Sequence, residues 1–168
     1  KNAREVASLL RLDPRFVSGI TAWHHIPASE GDFRAIPDGI HPSLVTALEA
    51  KGIKRLYSHQ RDVYDALGLD GSVCVVTPTA SGKTLCYNLP VLDAVLKDPE
   101  SRALYIFPTK ALAQDQLAEM SELADKGSFT LRSFTFDGDT PSQKRRLAKD
   151  VGQVIITNPD MLHQAILP

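Results

Sequence analysis

The sequence predicts an α/β fold, a parallel sheet flanked by helices and preceded by a mostly helical N-terminal lead-in. Two observations carry this expectation. From residue 73 onward, short apolar runs rich in β-formers alternate with helical patterns. That alternation argues for a parallel sheet with right-handed crossovers. Each apolar run also ends in a polar or proline-marked loop: Thr77-Pro78, Pro108-Thr109, Asp137-Gly138 and Thr157-Asn158-Pro159. In such a sheet these loops share one edge, where ligands bind.

The elements follow in order. Residues 5–12 read as a short amphipathic helix that ends before Pro14. A loop-rich stretch holds Trp23-His24-His25, which reads as local packing because no cysteine or spaced histidine accompanies it. Residues 42–50 form a helix with Pro42 near its start and Gly52 as its stop. Ser58 is expected to cap a helix carrying Gln60, Val63, Tyr64 and Leu67. Strand and helix then alternate: 73–76 and 85–96, 103–107 and 111–123, 131–136 and 142–149, 154–156 and 161–166. Two regions result, a helical and irregular lead-in over residues 1–55 and a sheet-bearing domain over 56–168.

One octapeptide carries the chemistry: Thr77-Pro78-Thr79-Ala80-Ser81-Gly82-Lys83-Thr84. It sits between the apolar run Val73-Cys74-Val75-Val76 and a helical pattern. Small residues let backbone N–H groups curl around phosphate oxygens, and the helix N-terminus favours negative charge. Lys83 can reach terminal phosphates, and the Thr84 hydroxyl can hold magnesium. Thr77 stands where the usual pattern has its first glycine, while the Gly-Lys-Thr core is intact. Upstream, Gln60 offers a donor and an acceptor that match the edge of adenine. Tyr57 can stack on the base.

Composition sets outer bounds. The chain has 168 residues, 43% hydrophobic and 23% charged, with a net charge of -1. This suits a globular chain rather than a disordered one. Nucleic-acid binding would need a local basic face, since bulk charge supplies none. No apolar stretch is long enough to span a bilayer, and no signal-peptide pattern occurs. The two cysteines, Cys74 and Cys86, read as core filler in a reducing, cytoplasmic compartment.

Five segments occur in order: Tyr57-Ser58-His59-Gln60, the octapeptide, Pro108-Thr109-Lys110-Ala111-Leu112-Ala113-Gln114-Asp115-Gln116, Asp137-Gly138-Asp139-Thr140, and Thr157-Asn158-Pro159-Asp160-Met161. Together they resemble the N-terminal part of the first RecA-like domain of a superfamily-two helicase of DEAD/DEAH type, a P-loop NTPase fold. They are similar to the Q motif, motif I, motif Ia, the glycine-bearing loop after the third strand, and motif Ib. The residues around 57–60 and 158–162, with the lead-in over 36–52, look closest to Hrq-type, RecQ-like DNA repair helicases.

The resemblance implies ATP and Mg2+ as cofactors. Tyr57, Gln60, Thr79, Ala80, Ser81, Gly82, Lys83 and Thr84 would hold the nucleotide. Lys83 and Thr84 would serve catalysis, with Thr84 also meeting the metal. Thr109, Lys110, Gln114, Gly138, Thr157 and Asn158 would grip one strand of DNA, at strand ends and first helical turns where donors meet phosphates. Asn158 also suits a helix cap. Asp137 and Asp139 read as a turn rather than a metal pair. Lys144, Arg145, Arg146 and Lys149 form a basic run that extends the track or simply faces solvent.

The implied activity is ATP-driven translocation on single-stranded DNA and unwinding of a duplex, with 3′-to-5′ polarity. RNA unwinding, double-strand translocation and a non-hydrolysing binding module are the alternatives. A small-molecule kinase would need a lid and would not need the ordered Ia and Ib loops. The family's Asp-Glu-x-His segment does not occur here, nor does a second RecA-like domain with its arginine fingers. The expectation is therefore a part of a longer enzyme, not hydrolytic alone. Its sheet would be incomplete, and it would be marginally stable or self-associating through an open strand edge.

Overall fold

The computed structural model describes residues 2–27, 30–68 and 71–167. It comprises two units, Lys1–Gly31 and Asp32–Pro168. In the first, α1 (Ala3–Leu12) starts at Asn2, whose Oδ1 accepts the Glu5 N–H at 2.9 Å. Asp13 closes α1 and caps α2 (Pro14–Val17) in turn. The Arg11 guanidinium lies 4.1 Å from the Trp23 ring centroid, so the aromatic is engaged in packing.

The second unit opens with β1 (Phe33–Arg34), which pairs antiparallel with β2 (Leu56–Tyr57). Between them lies α3 (Pro42–Ala50), with proline in its first turn. Gly52 supplies the left-handed φ of +76° that ends it. Ile40, Leu44, Ala47 and Leu48 share one core with Leu56, Leu89, Leu92 and Leu123. Residues 32–55 therefore share a core and a compact unit with the sheet-bearing region.

Helix α4 (Ser58–Leu67) begins one residue earlier than a Ser58 cap requires. The cap position falls on Tyr57, whose N–H donates to Gln60 Oε1 at 2.9 Å. Helix α5 (Lys83–Lys97) carries Pro90 in its interior, which removes one backbone donor from the helix. Next come β3 (Ala103–Ile106), α6 (Lys110–Gly127), β4 (Ser133–Phe136), α7 (Ser142–Val151) and β5 (Val154–Thr157). The last turns are α8 (Pro159–Met161) and a π-helical turn over Leu162–Ile166, not one regular helix.

The sheet is parallel in the order β3-β5-β4. Ile106 and Phe136 both register with Thr157, so the three strands end level and the loops after them share one edge. Residues 73–76 depart from expectation. They form no ladder, Cys74 is exposed, and Val76 is 89% exposed. A strand exists only through its hydrogen-bonded neighbours. Among the described residues none pairs with this run, and β3 presents an unpaired edge. The sheet is three-stranded and incomplete.

A buried carboxylate braces the helices. Asp93 is 5% exposed and accepts from the His41 N–H at 2.8 Å, Tyr64 Oη at 2.6 Å and Lys97 Nζ at 2.6 Å. Burial, together with the Asp93 hydrogen bond, pushes the Tyr64 hydroxyl well above the ordinary phenol range.

Candidate functional site

The octapeptide folds as a tight loop that delivers Lys83 into the first turn of α5. Two of its residues are left-handed, Ala80 with φ of 59° and Gly82 with φ of 77°. Ala80 holds that conformation against its own Cβ, which marks local strain. Gly82 is required twice over. Any Cβ there would also lie 2.7 Å from Gln60 Nε2.

Lys83 Nζ sits among four oxygens. It donates to the Thr77 carbonyl at 2.9 Å, to the Pro78 carbonyl, and toward Thr77 Oγ1 and Ser81 Oγ at 3.3 Å each. Thr77 Oγ1 and Ser81 Oγ are hydrogen-bonded at 2.7 Å and cross the loop as a strap. The ammonium thus occupies the middle of a cradle of oxygens. Thr79 and Ala80 form the exposed tip, and Thr84 follows Lys83 on α5.

Gln60 joins this loop to the segment before it. Its Nε2 donates to the Gly82 carbonyl at 2.9 Å, and its Oε1 accepts the Tyr57 N–H. The side chain is buried, with one amide hydrogen and one oxygen lone pair still free for a ligand. His59 Nε2 lies 3.0 Å from the Ser81 carbonyl, a second tie to the same loop. Tyr57 is half-exposed and stacks on Phe33 at 4.8 Å and on His59 at 5.6 Å. The Arg55 guanidinium lies over Phe33. A cavity of about 580 Å³ opens beside these groups, lined by Phe33, Arg55, Tyr57, Gln60, Gly82 and Thr84 among others.

Phe33 and Arg55 are not legible as site residues, and His59 is read only as part of the Tyr57–Gln60 segment, without a role of its own. Phe33 and Arg55 belong to or adjoin two-residue strands, which carry no periodic signal. Only the neighbourhood of His59 to Gln60 pointed to it. Tyr57 is flanked by two rings rather than waiting alone for a base, so the stacking surface at the cavity is shared with Phe33.

The second group of expected residues lies along the strand-end edge. Thr109 Oγ1 accepts the Leu112 N–H at 3.3 Å and caps α6. Lys110 pairs with Asp139 from the loop after β4. That contact holds the Asp139 carboxyl below its ordinary range and the Lys110 ammonium above its own. Gln114 lines a shallower cavity of about 430 Å³ with Asp139, Thr140 and Lys144. Gly138 has no positive φ, and a Cβ there would meet nothing within 4 Å, so the fold itself does not demand glycine. Asn158 Oδ1 accepts the Met161 N–H at 2.9 Å as a helix cap.

Thr157 sits deeper than its neighbours at this edge. It is 2% exposed, and its hydroxyl donates to the Phe136 carbonyl at 2.7 Å. That bond ties β5 to β4 and engages the hydroxyl within the sheet. Arg145 is likewise no open cation. It donates to the carbonyls of Thr140, Asp137 and Gly138 at 2.8, 3.0 and 2.9 Å and stands over the Phe136 ring. Lys149 donates to the Ala165 carbonyl. Lys144 and Arg146 remain exposed on α7. Asp137 Oδ1 accepts from the Asp139 N–H and from Thr140 Oγ1, both at 2.9 Å, which makes the acidic pair a turn. Among the described residues no helix is long and apolar enough to cross a membrane.

Comparison with known proteins places this geometry. The profile of the DEAD/DEAH box helicase family matches residues 57–167. The chain is 48% identical over 149 residues to the Bacillus subtilis protein named as an uncharacterized ATP-dependent helicase, YprA, covering 89% of this chain and 20% of that one. It is 40% identical over 150 residues to the ATP-dependent helicase hrq1 of Schizosaccharomyces pombe, covering 88% of this chain and 14% of the relative. The crystal structure of the DUF1998 helicase MrfA bound to DNA and AMPPNP superposes with a TM-score of 0.88 at 45% identity, over 100% of this chain and 23% of that chain. The chain thus spans about a fifth of the length of such relatives.

Proposed function

The chain belongs to the DEAD/DEAH box helicase family, and from that premise we propose that it is the ATP-binding and DNA-engaging part of an ATP-dependent DNA helicase of the Hrq type, acting in DNA repair with 3′-to-5′ polarity. The observation that carries the reading is the position of Lys83 at the centre of an oxygen-lined cradle, beside a cavity bordered by Gln60.

Lys83, freed from the loop carbonyls it now meets, would hold the terminal phosphate oxygens of ATP. Backbone N–H groups of Ser81, Gly82 and Lys83 at the start of α5 take the remaining oxygens. Gln60 turns its free amide hydrogen and lone pair toward adenine, and Phe33 and Tyr57 offer ring faces. The Thr84 hydroxyl would hold magnesium, whose charge would neutralise the phosphates. The strand-end edge presents Thr109, Lys110, Gln114, Gly138 and Asn158 to the backbone of one DNA strand. The water-orienting carboxylates and the arginine fingers come from the rest of the protein, through a motif II strand and a second RecA-like domain. The β3 edge and residues 73–76 are the unpaired backbone such a strand would meet. The two free cysteines support a reducing, cytoplasmic setting.

The test is DNA-stimulated ATP hydrolysis by the full-length protein and its Lys83→Ala variant. Stimulated turnover that the substitution abolishes supports the motor; a well-folded protein without turnover overturns it. Affinity for single-stranded DNA against matched RNA separates the DNA reading from an RNA helicase, since contacts to the 2′-hydroxyl decide that preference.

A further inference from the structure

We propose that Asp139 is an internal competitor for the nucleic-acid backbone: its carboxylate occupies Lys110 until a strand phosphate takes its place. The inference rests on the reading that Lys110 meets the strand. Lys110 opens α6 on the strand-end edge, and Asp139 reaches it from the loop after β4. The pair therefore bridges the two loops expected to hold one strand. Two of the other charged groups there are engaged within the loop, while Lys144 stays exposed on α7 beside the cavity that Asp139 also lines. Asp137 closes its own turn, and Arg145 binds three loop carbonyls.

The Asp139 carboxylate differs. Its side chain is 84% exposed, and Lys110 is its hydrogen-bond partner. The Lys110 side chain is 51% exposed. An exposed pair contributes little to stability, so the fold does not depend on it. A carboxylate and a phosphate are equivalent partners for an ammonium. The exchange leaves Asp139 uncovered beside a polyanion, which subtracts about one charge from the binding face. Asp139 thereby sets both how tightly and how salt-sensitively the edge holds a strand.

The experiment measures binding of a fluorescein-labelled oligothymidylate by anisotropy across a salt series, on the full-length protein. Asp139→Asn is expected to bind about two- to fivefold tighter at low salt, the range of an exposed ion pair. Its dependence of log affinity on log salt steepens by about 0.7, one single-strand phosphate. Lys110→Ala binds more weakly with a shallower slope. Adding Asp139→Asn to Lys110→Ala restores little, because the two charges act on each other. If Lys110→Ala weakens binding while Asp139→Asn leaves it unchanged, the competition is overturned and the strand reading stands. If Asp139→Asn gains as much without Lys110 as with it, the carboxylate acts as bulk charge, and the exchange is overturned. If Lys110→Ala leaves binding unchanged, the strand reading of Lys110 fails and the inference falls with it.

Discussion

Gln60→Ala tests how the nucleotide loop is held. The side chain makes two hydrogen bonds, from the Tyr57 N–H to Oε1 and from Nε2 to the Gly82 carbonyl, both at 2.9 Å. It does so from a buried position. A net contribution of about 0.5–1.5 kcal/mol per bond gives about 1–3 kcal/mol for the latch. Binding must restore the loop geometry that the latch supplies. Affinity for ATP should therefore fall about 5- to 150-fold, at one factor of ten per 1.4 kcal/mol. A titration with a fluorescent ATP analogue on the full-length protein measures this. The same titration with a GTP analogue divides the latch from base reading. A pure latch weakens both nucleotides equally. A latch that also reads adenine loses ATP preference on top of that common loss, because the free amide hydrogen and lone pair go with it. Unchanged ATP affinity in a folded variant would refute both roles together.

Three further outcomes follow from the same geometry. Gly39 and Gly82 have nearly equal φ values, 82° and 77°, yet only the second has Gln60 against it. Both Gly→Ala variants should lose about 1–2 kcal/mol of stability from left-handed strain, while Gly82→Ala alone also weakens ATP binding; calorimetric melting beside nucleotide titration checks the split. Asp93→Ala leaves Tyr64, Lys97 and the His41 N–H without their buried partner, and should destabilise by about 3–5 kcal/mol, with Asp93→Asn losing less, read from urea midpoints. In this 168-residue chain Cys74 should react with a thiol reagent far faster than Cys86. Cys86 is buried, and burial raises its thiol above the usual range, so less thiolate forms at neutral pH and its protection fades only as pH rises. If a motif II strand completes the sheet, Cys74 becomes protected in the full-length protein, as mass spectrometry of the labelled cysteines would show.

How far the sequence reached depends on how local each feature is. The Gly-Lys-Thr loop and the Asn158 cap act through neighbours a few positions away, so spacing exposed them, whereas the bond from Gln60 to Gly82 spans 22 positions and shows only in the fold. Residues 73–76 carry strand composition, but pairing is a tertiary property, and no described segment lies alongside to supply it. Thr157 reads as a loop-end hydroxyl; its bond to the Phe136 carbonyl of the neighbouring strand is a tertiary contact that sequence does not display. Phe33 stacks on a residue 24 positions later across two-residue strands, a pairing no window of sequence contains.

The departure at Thr77 shows what position means within a motif. A threonine where the usual pattern has glycine reads as a weakened match. In the fold, the left-handed positions of this loop are Ala80 and Gly82, and Thr77 is not among the described residues with positive φ. Glycine is therefore not demanded there. Thr77 instead contributes a carbonyl and a hydroxyl toward Lys83 and ties Ser81 across the loop. The side chain that breaks the pattern is part of what holds the cradle closed around its lysine. Conformational demand, not the letter at a motif position, decides which substitutions such a loop tolerates.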